Sequence, residues 1–367
     1  MALTVFIRDA AFTPRGMLKV TAAQAVLRDN APDTATLTVD PSQTRQVRAR
    51  LKPGWGVILK DAGVYLSGTI TKVSEEYQGE ELLIQLNVLG DMHHLADRLT
   101  YPDPAHGAEH QARARYTRRA PAAELIRDLV RDNLGAGAIP SRRAPVDIEL
   151  PPPSGSTPTV LVDTRFKNLL EVCQQIAQAG NVHIRARQTG TALEIAANPR
   201  RDLSRRVQLA SSTGEIARFT RELAAPTATA IIAAGQGEGE NRQMLERTRP
   251  AWERRIEDFK DRRDTDEPAK LDAAAQADLD KGAPGVKINF DLIETPTRQL
   301  GNTFDIGDII TLRLPGGTTY TDTLTQANIA WKALHRTVSL TLGKEDTPQT
   351  ITRLRSLSER LDAVERI

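Results

Sequence analysis

Short apolar runs that alternate with polar residues, broken at close intervals by glycine or proline, leave a chain few options besides half-buried β-strands packed into sandwiches or barrels. The first hundred residues read this way: Leu37 with Val39, Val57 with Leu59, and Ile84 with Leu86 and Val88 are such runs, punctuated by Gly54, Gly56, Gly63 and Gly68, with Pro53 before Gly54 as a turn signal. Between 100 and 119 the composition shifts to Pro, His, Ala and Arg, which reads as a connector. A helix is predicted after Pro121, with Leu125, Ile126, Leu129, Val130 and Leu134 on one face and Gly135 as its stop. The proline-dense stretch 151–158 is a loop.

A second predicted helix, capped by Asp163 or Thr164, buries Phe166, Leu169, Leu170, Cys173 and Ile176 before Gly180. A hairpin follows, with Val182, Ile184 and Ala186 alternating up to the turn at Gly190 and Leu193 with Ile195 beyond it. Strands are expected over 207–234, a helix over 268–281 from Leu271, Ala275 and Leu279, and strands again at 286–290, 309–314 and around Val338, Leu340 and Leu342. Residues 348–367 carry a heptad seam of Leu354, Leu357, Leu361 and Val364, which suits either docking on its own domain or a short parallel coiled coil. Leucine at the first core position with a β-branched residue at the second leans away from dimers.

With 367 residues the chain has room for two or three domains with sizeable cores. The 49 Lys and Arg against 47 Asp and Glu leave a net charge of +2, too little for a global field that would hold nucleic acid or an anionic membrane. One cysteine excludes an internal disulfide and any cysteine-based zinc spacing, so a reducing compartment is the default. The N-terminal residues lead into Arg8 and Asp9 without a leader-like apolar core, and no apolar run approaches a membrane span, so a soluble protein not exported by the usual route is expected.

Among constellations that could carry chemistry, His106, Glu109 and His110 spell H-x-x-E-H, in which two histidines one helical turn apart can bind zinc beside a glutamate base, with Glu171 as the nameable third ligand. Pro102, Pro104 and Gly107 place that motif in an irregular connector, so no metal is assigned and a zinc-dependent peptidase stands as an alternative. His93 and His94 read as a solvated or satisfied structural pair, and Cys173, on an apolar stripe, as packing. Gly235, Gly237 and Gly239 follow an apolar strand, but Glu238 and Glu240 would repel a phosphate and Pro250 interrupts any helix behind them; a flexible hairpin or loop is favoured. Trp55, Trp252 or Trp331 would be the platforms of a cell-wall carbohydrate-binding module, the other alternative, although tryptophan more often packs in cores.

The chain also echoes itself. Pro53-Gly54-Trp-Gly-Val-Ile-Leu59 resembles Ile306-Gly307-Asp-Ile-Ile-Thr-Leu312, and Gly90 and Gly343 follow at equal distances. On that spacing the closing strands disagree in apolar parity, so one copy should need a bulge or a shifted register.

The order of these features resembles the siphophage tail-hub proteins. The segment 169–180, the hairpin through Gly190 and the step Pro199-Arg200-Arg201-Asp202 look like the middle of that family. The strand passage 207–221 followed by 228–237, the segment 252–262, the helix around 271–279 and Phe304-Asp-Ile-Gly-Asp-Ile-Ile310 fit its later part, so the match spans about 1–345. Such proteins are similar to contractile-phage baseplate hubs and to the N-terminal hub part of tail-associated lysins. The resemblance implies an α+β fold: a first β-barrel hub domain at 1–100, with 205–227 as a candidate completing segment, and a peripheral α+β domain at 101–204. A second barrel at 228–345 carries a charged insertion at 240–282, and a C-terminal helix occupies 346–367. It implies a non-enzymatic, cofactor-free homotrimer of the virion, assembled in the host cytoplasm, that joins a six-fold distal tail ring to three-fold tip components. Its partners would be that ring, the tail tube, the tape-measure protein and a downstream tip or fibre protein. DNA would pass through its lumen without sequence-specific binding, and no stable membrane insertion is expected. Many relatives continue into a peptidase, lysozyme-like or receptor-binding region; a chain stopping at Ile367 is expected to lack it.

Overall fold

The computed structural model describes residues 3–79, 81–263, 267–332 and 335–343. The seam residues Leu354, Leu357, Leu361 and Val364 lie outside them. Among the described residues the chain forms two compact units, one holding 3–219 and 290–342 and the other holding 220–289.

The first unit opens with strands β1 (Thr4–Arg8), β2 (Pro14–Leu18), β3 (Val20–Arg28) and β4 (Thr34–Val39), a short helix α1 (Thr44–Arg50), and a meander of β5 (Gly56–Asp61), β6 (Val64–Gln78) and β7 (Glu81–Gly90). The helix sits where the sequence suggested only strands. Alternation places Ala35, Leu37 and Val39 of β4 and Ile84, Leu86 and Val88 of β7 on one buried face. Strands β5 and β6 approach so closely that a Cβ on Gly56 would lie 2.2 Å from the Gly68 carbonyl oxygen, which accounts for glycine there.

A peripheral layer follows: α2 (His93–Ala96), β8 (Tyr116–Pro121), α3 (Ala122–Asn133), β9 (Ile148–Glu149), β10 (Thr159–Thr164), α4 (Leu169–Ala179), β11 (Val182–Thr189) and β12 (Ala192–Pro199). Strands β8 and β10 pair antiparallel, and β11 pairs with β12, which takes β9 on its other side. Leu125, Ile126 and Leu129 of α3 meet Leu169, Cys173 and Ile176 of α4 in one apolar cluster over Ile184 and Leu193. The cap of α4 is not Asp163 or Thr164, which lie in β10. Asn168 caps it instead, its side chain accepting the Glu171 N–H at 3.3 Å, because Phe166 turns the chain with a φ of +49° before the helix can start.

After β13 (Gln208–Ala210), strand β14 (Ile216–Ala224) leads into the second unit. There β15 (Ala230–Ala234) pairs antiparallel with β16 (Met244–Thr248) and parallel with β17 (Glu257–Asp261), and α5 (Pro268–Lys281) packs Leu271, Ala275 and Leu279 on Ile231 and Ala233. Strand β18 (Gly285–Leu292) returns to a second meander, β19 (Ile309–Arg313), β20 (Thr319–Lys332) and β21 (His335–Gly343).

The main sheet has 13 strands in the order β14-β18-β21-β20-β3-β4-β7-β6-β5-β1-β2, with β19 beside β20 and β13 beside β19. Among the described residues its strands close into no barrel. The two separate small barrels expected from the sequence are therefore replaced by one continuous sheet, because β20 pairs directly with β3 and merges them.

Within that sheet the internal echo is a tandem repeat of strand order: β14-β18-β21-β20 repeats as β3-β4-β7-β6. Backbone details repeat with it. Register slips between Ile70 and Lys72 in β6 and between Leu324 and Gln326 in β20, each leaving one threonine bulged. Both threonines use Oγ1 in the same way, Thr71 donating to the Asn87 carbonyl and Thr325 to the Thr341 carbonyl at 3.3 Å. The Ile70 N–H reaches the Trp55 carbonyl at 2.9 Å as the Leu324 N–H reaches that of Asp308 at 2.8 Å. Likewise Asp40 donates to Lys19 and Ile293 to Glu215, both at 2.9 Å.

Both copies thus carry the bulge expected of one, and the parity conflict disappears: Ile84, Leu86 and Val88 correspond to Val338, Leu340 and Leu342, all buried. The second copy has a longer β19–β20 turn around Gly316 and Gly317 than the Ala62-Gly63 turn of the first, which shifts everything after it and made the equal glycine spacing misleading.

Inserting one alanine between Ala327 and Asn328 should turn Ile329 and Trp331 out of the core and abolish cooperative unfolding in urea, whereas deleting Thr325 should only close the bulge into a regular ladder that keeps Ala327, Ile329 and Trp331 facing the core. Thr325→Val keeps the bulge, loses one hydrogen bond, and should cost only about 0.5–1.5 kcal/mol.

Candidate functional site

The fold separates most of the chemistry-bearing residues. His106, Glu109 and His110 are all exposed, Glu109 and His110 on a 3₁₀ turn, and His106 Nδ1 lies 2.9 Å from Asp103 Oδ2. Glu171 sits in the first turn of α4. Among the described residues the one group of side chains close enough to share an ion is Asp91, His93 and His94, with ligand atoms within 4.8 Å of one another.

That group does not suit a cation. Asp91 already accepts two bonds from the Arg8 guanidinium, one of them at 2.9 Å from Nη1, and Arg8 is 1% exposed. His93 is held between Asp97 at 3.1 Å and Thr69 at 3.2 Å. An arriving metal would have to displace a buried positive charge from the only carboxylate in the group. Arg8 is further fixed by the Gln188 side chain at 2.9 Å and by the Phe12 ring, whose centroid lies 3.6 Å from its guanidinium carbon. His94 stacks on His93 with ring centroids 4.1 Å apart, and its Nε2 is buried without a hydrogen-bond partner. Burial first, and His93 second, push its pKa down to about 4.

Cys173 is fully buried on α4, and burial pushes its thiol up to about 12, the protonation state of a packing residue and not of a nucleophile. The glycines after β15 lead through a single 3₁₀ turn at Gly239–Asn241 into strand β16, and among the described residues no α-helix follows them directly. Trp331 is core: it is 6% exposed, and its Nε1 donates to Asp61 Oδ2 at 2.6 Å. Arg336 binds the same carboxylate at 3.2 Å and Glu294 at 3.0 Å, forming one wall of an open groove of about 860 Å³. Trp252 is 54% exposed at a backbone φ of +54°, and Trp55 is half-buried.

What the first unit leaves open is a sheet edge. Over 72–78, β6 has β7 on one side and, among the described residues, no strand on the other, and Val73 and Tyr77 are 42% and 60% exposed. The candidate site is thus an interaction surface built on backbone edges, for which the motif-based search had no signal beyond the internal echo.

The neutral His94 predicts a pH dependence of known sign. A histidine whose folded pKa lies near 4 contributes stability that is fully present above its unfolded value of about 6.5 and is lost as pH falls through 4. Urea midpoints measured between pH 7 and 4 should fall, and His94→Phe should remove up to about 3 kcal/mol of that dependence.

Comparison with known proteins places this fold. The tail protein from Neisseria meningitidis MC58 superimposes with a TM-score of 0.60 at 11% identity, covering 94% of this chain and 97% of that one. The 43 kDa tail protein of prophage MuSo2 from Shewanella oneidensis gives 0.59 at 10% identity, with 93% and 98% covered. Prophage tail protein gp18 from Listeria monocytogenes EGD-e gives 0.52 at 13% identity, with 98% and 99% covered. No curated protein matches the chain in sequence. The resemblance to siphophage tail proteins read from the sequence holds: with residues 4–344 matched, the chain belongs to the family described as Siphovirus ReqiPepy6 Gp37-like protein.

Proposed function

We propose that this protein is a structural hub of a phage tail tip, a homotrimeric ring that adapts the six-fold tail tube and distal tail ring to three-fold tip components. The observation that carries this reading is the tandem strand repeat. A chain with two equivalent four-strand modules presents six of them when three chains surround one axis, so each position of a six-fold partner meets an equivalent surface. Membership in a siphovirus family and a fold shared with tail proteins of prophages support a place in the virion tail and a structural role.

The sheet face opposite the core suits a lumen. Thr36, Asn87, Asn328 and Ser339 lie on it, interspersed with Lys72, Lys332 and Asp291, a polar surface of mixed charge that offers passing DNA no base-reading element. Among the described residues no helix is long and apolar enough to cross a membrane. The seam of Leu354, Leu357, Leu361 and Val364 would hand the chain to the next tip or fibre component.

Light scattering of the concentrated protein should give the mass of three chains, and with the distal tail ring the mass of the ring plus three chains. One or two chains in both samples, counted beyond the distal tail ring in the second, overturn the trimeric ring. Leu357→Asp with Leu361→Asp should block attachment of the tip component while leaving the trimer intact, as read by negative-stain imaging of assembled tails.

A further inference from the structure

One junction inside the chain shows how two modules join. Strand β3 runs antiparallel beside β20, setting Leu27 opposite Ala327, Ala25 opposite Ile329 and Ala23 opposite Trp331. All six are buried, none more than 6% exposed.

The same two strand positions recur at the ends of the tandem repeat, where among the described residues no second strand pairs with them. Strand β6 is the first copy's equivalent of β20, with Thr71 standing where Thr325 stands, so Val73, Glu75 and Tyr77 occupy the places of Ala327, Ile329 and Trp331. Where the second copy's residues are buried under β3, Val73 and Tyr77 are 42% and 60% exposed. Strand β14 is the equivalent of β3, and among the described residues β18 is its one neighbour in the sheet. The matching bonds from Asp40 to Lys19 and from Ile293 to Glu215 set the alignment, supported by Arg218 against Asp291 at 3.0 Å. Phe219, Arg221 and Leu223 then stand where Ala23, Ala25 and Leu27 stand, and Leu223 is 52% exposed.

We propose that β6 of one copy of this chain pairs antiparallel with β14 of a second copy, in the register that β20 and β3 use internally. That register, carried over without adjustment, sets Val73 opposite Leu223, Glu75 opposite Arg221 and Tyr77 opposite Phe219. An apolar pair, an opposite-charge pair and an aromatic pair result, the combinations that stabilise neighbouring strands. Glu75 also holds Arg48 of its own chain at 3.2 Å, so the carboxylate lies within a cationic surrounding. The two edges are different surfaces, so the contact is head-to-tail and continues from copy to copy until the ring closes. Closure removes the open backbone edges that would otherwise template aggregation. This seam rests on the ring reading and adds to it which strands, and which residues, meet between subunits.

The test is a pair of cysteines in the full chain, Val73→Cys with Leu223→Cys, oxidised and run on a non-reducing gel; Tyr77→Cys with Phe219→Cys serves should the first pair perturb folding. Buried Cys173 does not compete. Ladders ending at three covalently joined chains are expected for both pairs, and none for Tyr77→Cys with Leu223→Cys, which the register keeps apart. Light scattering of the same samples separates the two ideas. A three-chain mass with neither matched pair cross-linked overturns the seam and leaves the ring standing. A single-chain mass overturns both.

Discussion

The side chains of a strand alternate with a period of two, and one bulged residue on each long strand exploits that rule to set the whole sheet. Before Thr71, β6 buries Val64 and Leu66; after it, the residues on the core side are Val73, Glu75 and Tyr77, facing the row of Leu86, Ile84 and Leu82. Strand β20 does the same around Thr325, burying Leu324 before it and Ala327, Ile329 and Trp331 beyond it. A strand with this change of parity can pair with a short strand in one half and with a different neighbour in the other. In β20 those neighbours are β19 and then β3, which makes one sheet out of two modules. In β6 no strand among the described residues takes the second position. The same local device thus produces both the internal continuity of the sheet and its open end.

The peripheral layer is fastened to that sheet by polar anchors as well as apolar packing. Arg8 on β1 holds Asp91 after β7 and Gln188 on β11 in a buried network, and the Gln188 side chain also donates to the Phe12 and Gly190 carbonyls. At the β3–β4 turn, Asn30 exchanges bonds with the Val182 carbonyl at 3.0 Å and the Ile184 N–H at 2.7 Å. Beside it Asp29 is held by Arg200 and His183, and these bonds outweigh its burial, keeping its carboxyl below the usual range. Directional bonds of this kind fix the position of the layer in a way that apolar contact alone does not, since removing either partner leaves the other buried and unpaired.

Much of the local structure was legible because it follows from nearest-neighbour chemistry. The spacing of Leu271, Ala275 and Leu279 gave α5, the apolar face from Leu125 to Val130 gave α3, and Gly190 with its flanking alternation gave the β11–β12 hairpin. The cap of α4 was misplaced because Asp163 and Thr164 are acceptable caps by composition, and only their pairing with Thr117 and Tyr116 in β10 removes them from the helix. The histidine pair His93 and His94 illustrates the converse. Nothing near it in sequence shows that Asp91, its neighbour, is already bound to Arg8 from another strand. Trp331 likewise looked available for a ligand until Asp61, far away in the chain, took its N–H.

The sequence by itself determined most of the strands, helices and turns, though not α1 or the cap of α4, as well as the buried state of Cys173 and the presence of two related segments, since each depends on periodicity and turn chemistry within a short window. It also carried the family resemblance through the order of those features. Only the tertiary structure decided that the two segments form one sheet instead of two barrels. It alone showed that both copies bulge at a threonine, and that Val73 and Tyr77 lie exposed where their counterparts are buried. The physical reason is that strand pairing joins residues hundreds of positions apart through backbone groups every residue has, so the choice of neighbour leaves almost no mark on side-chain pattern.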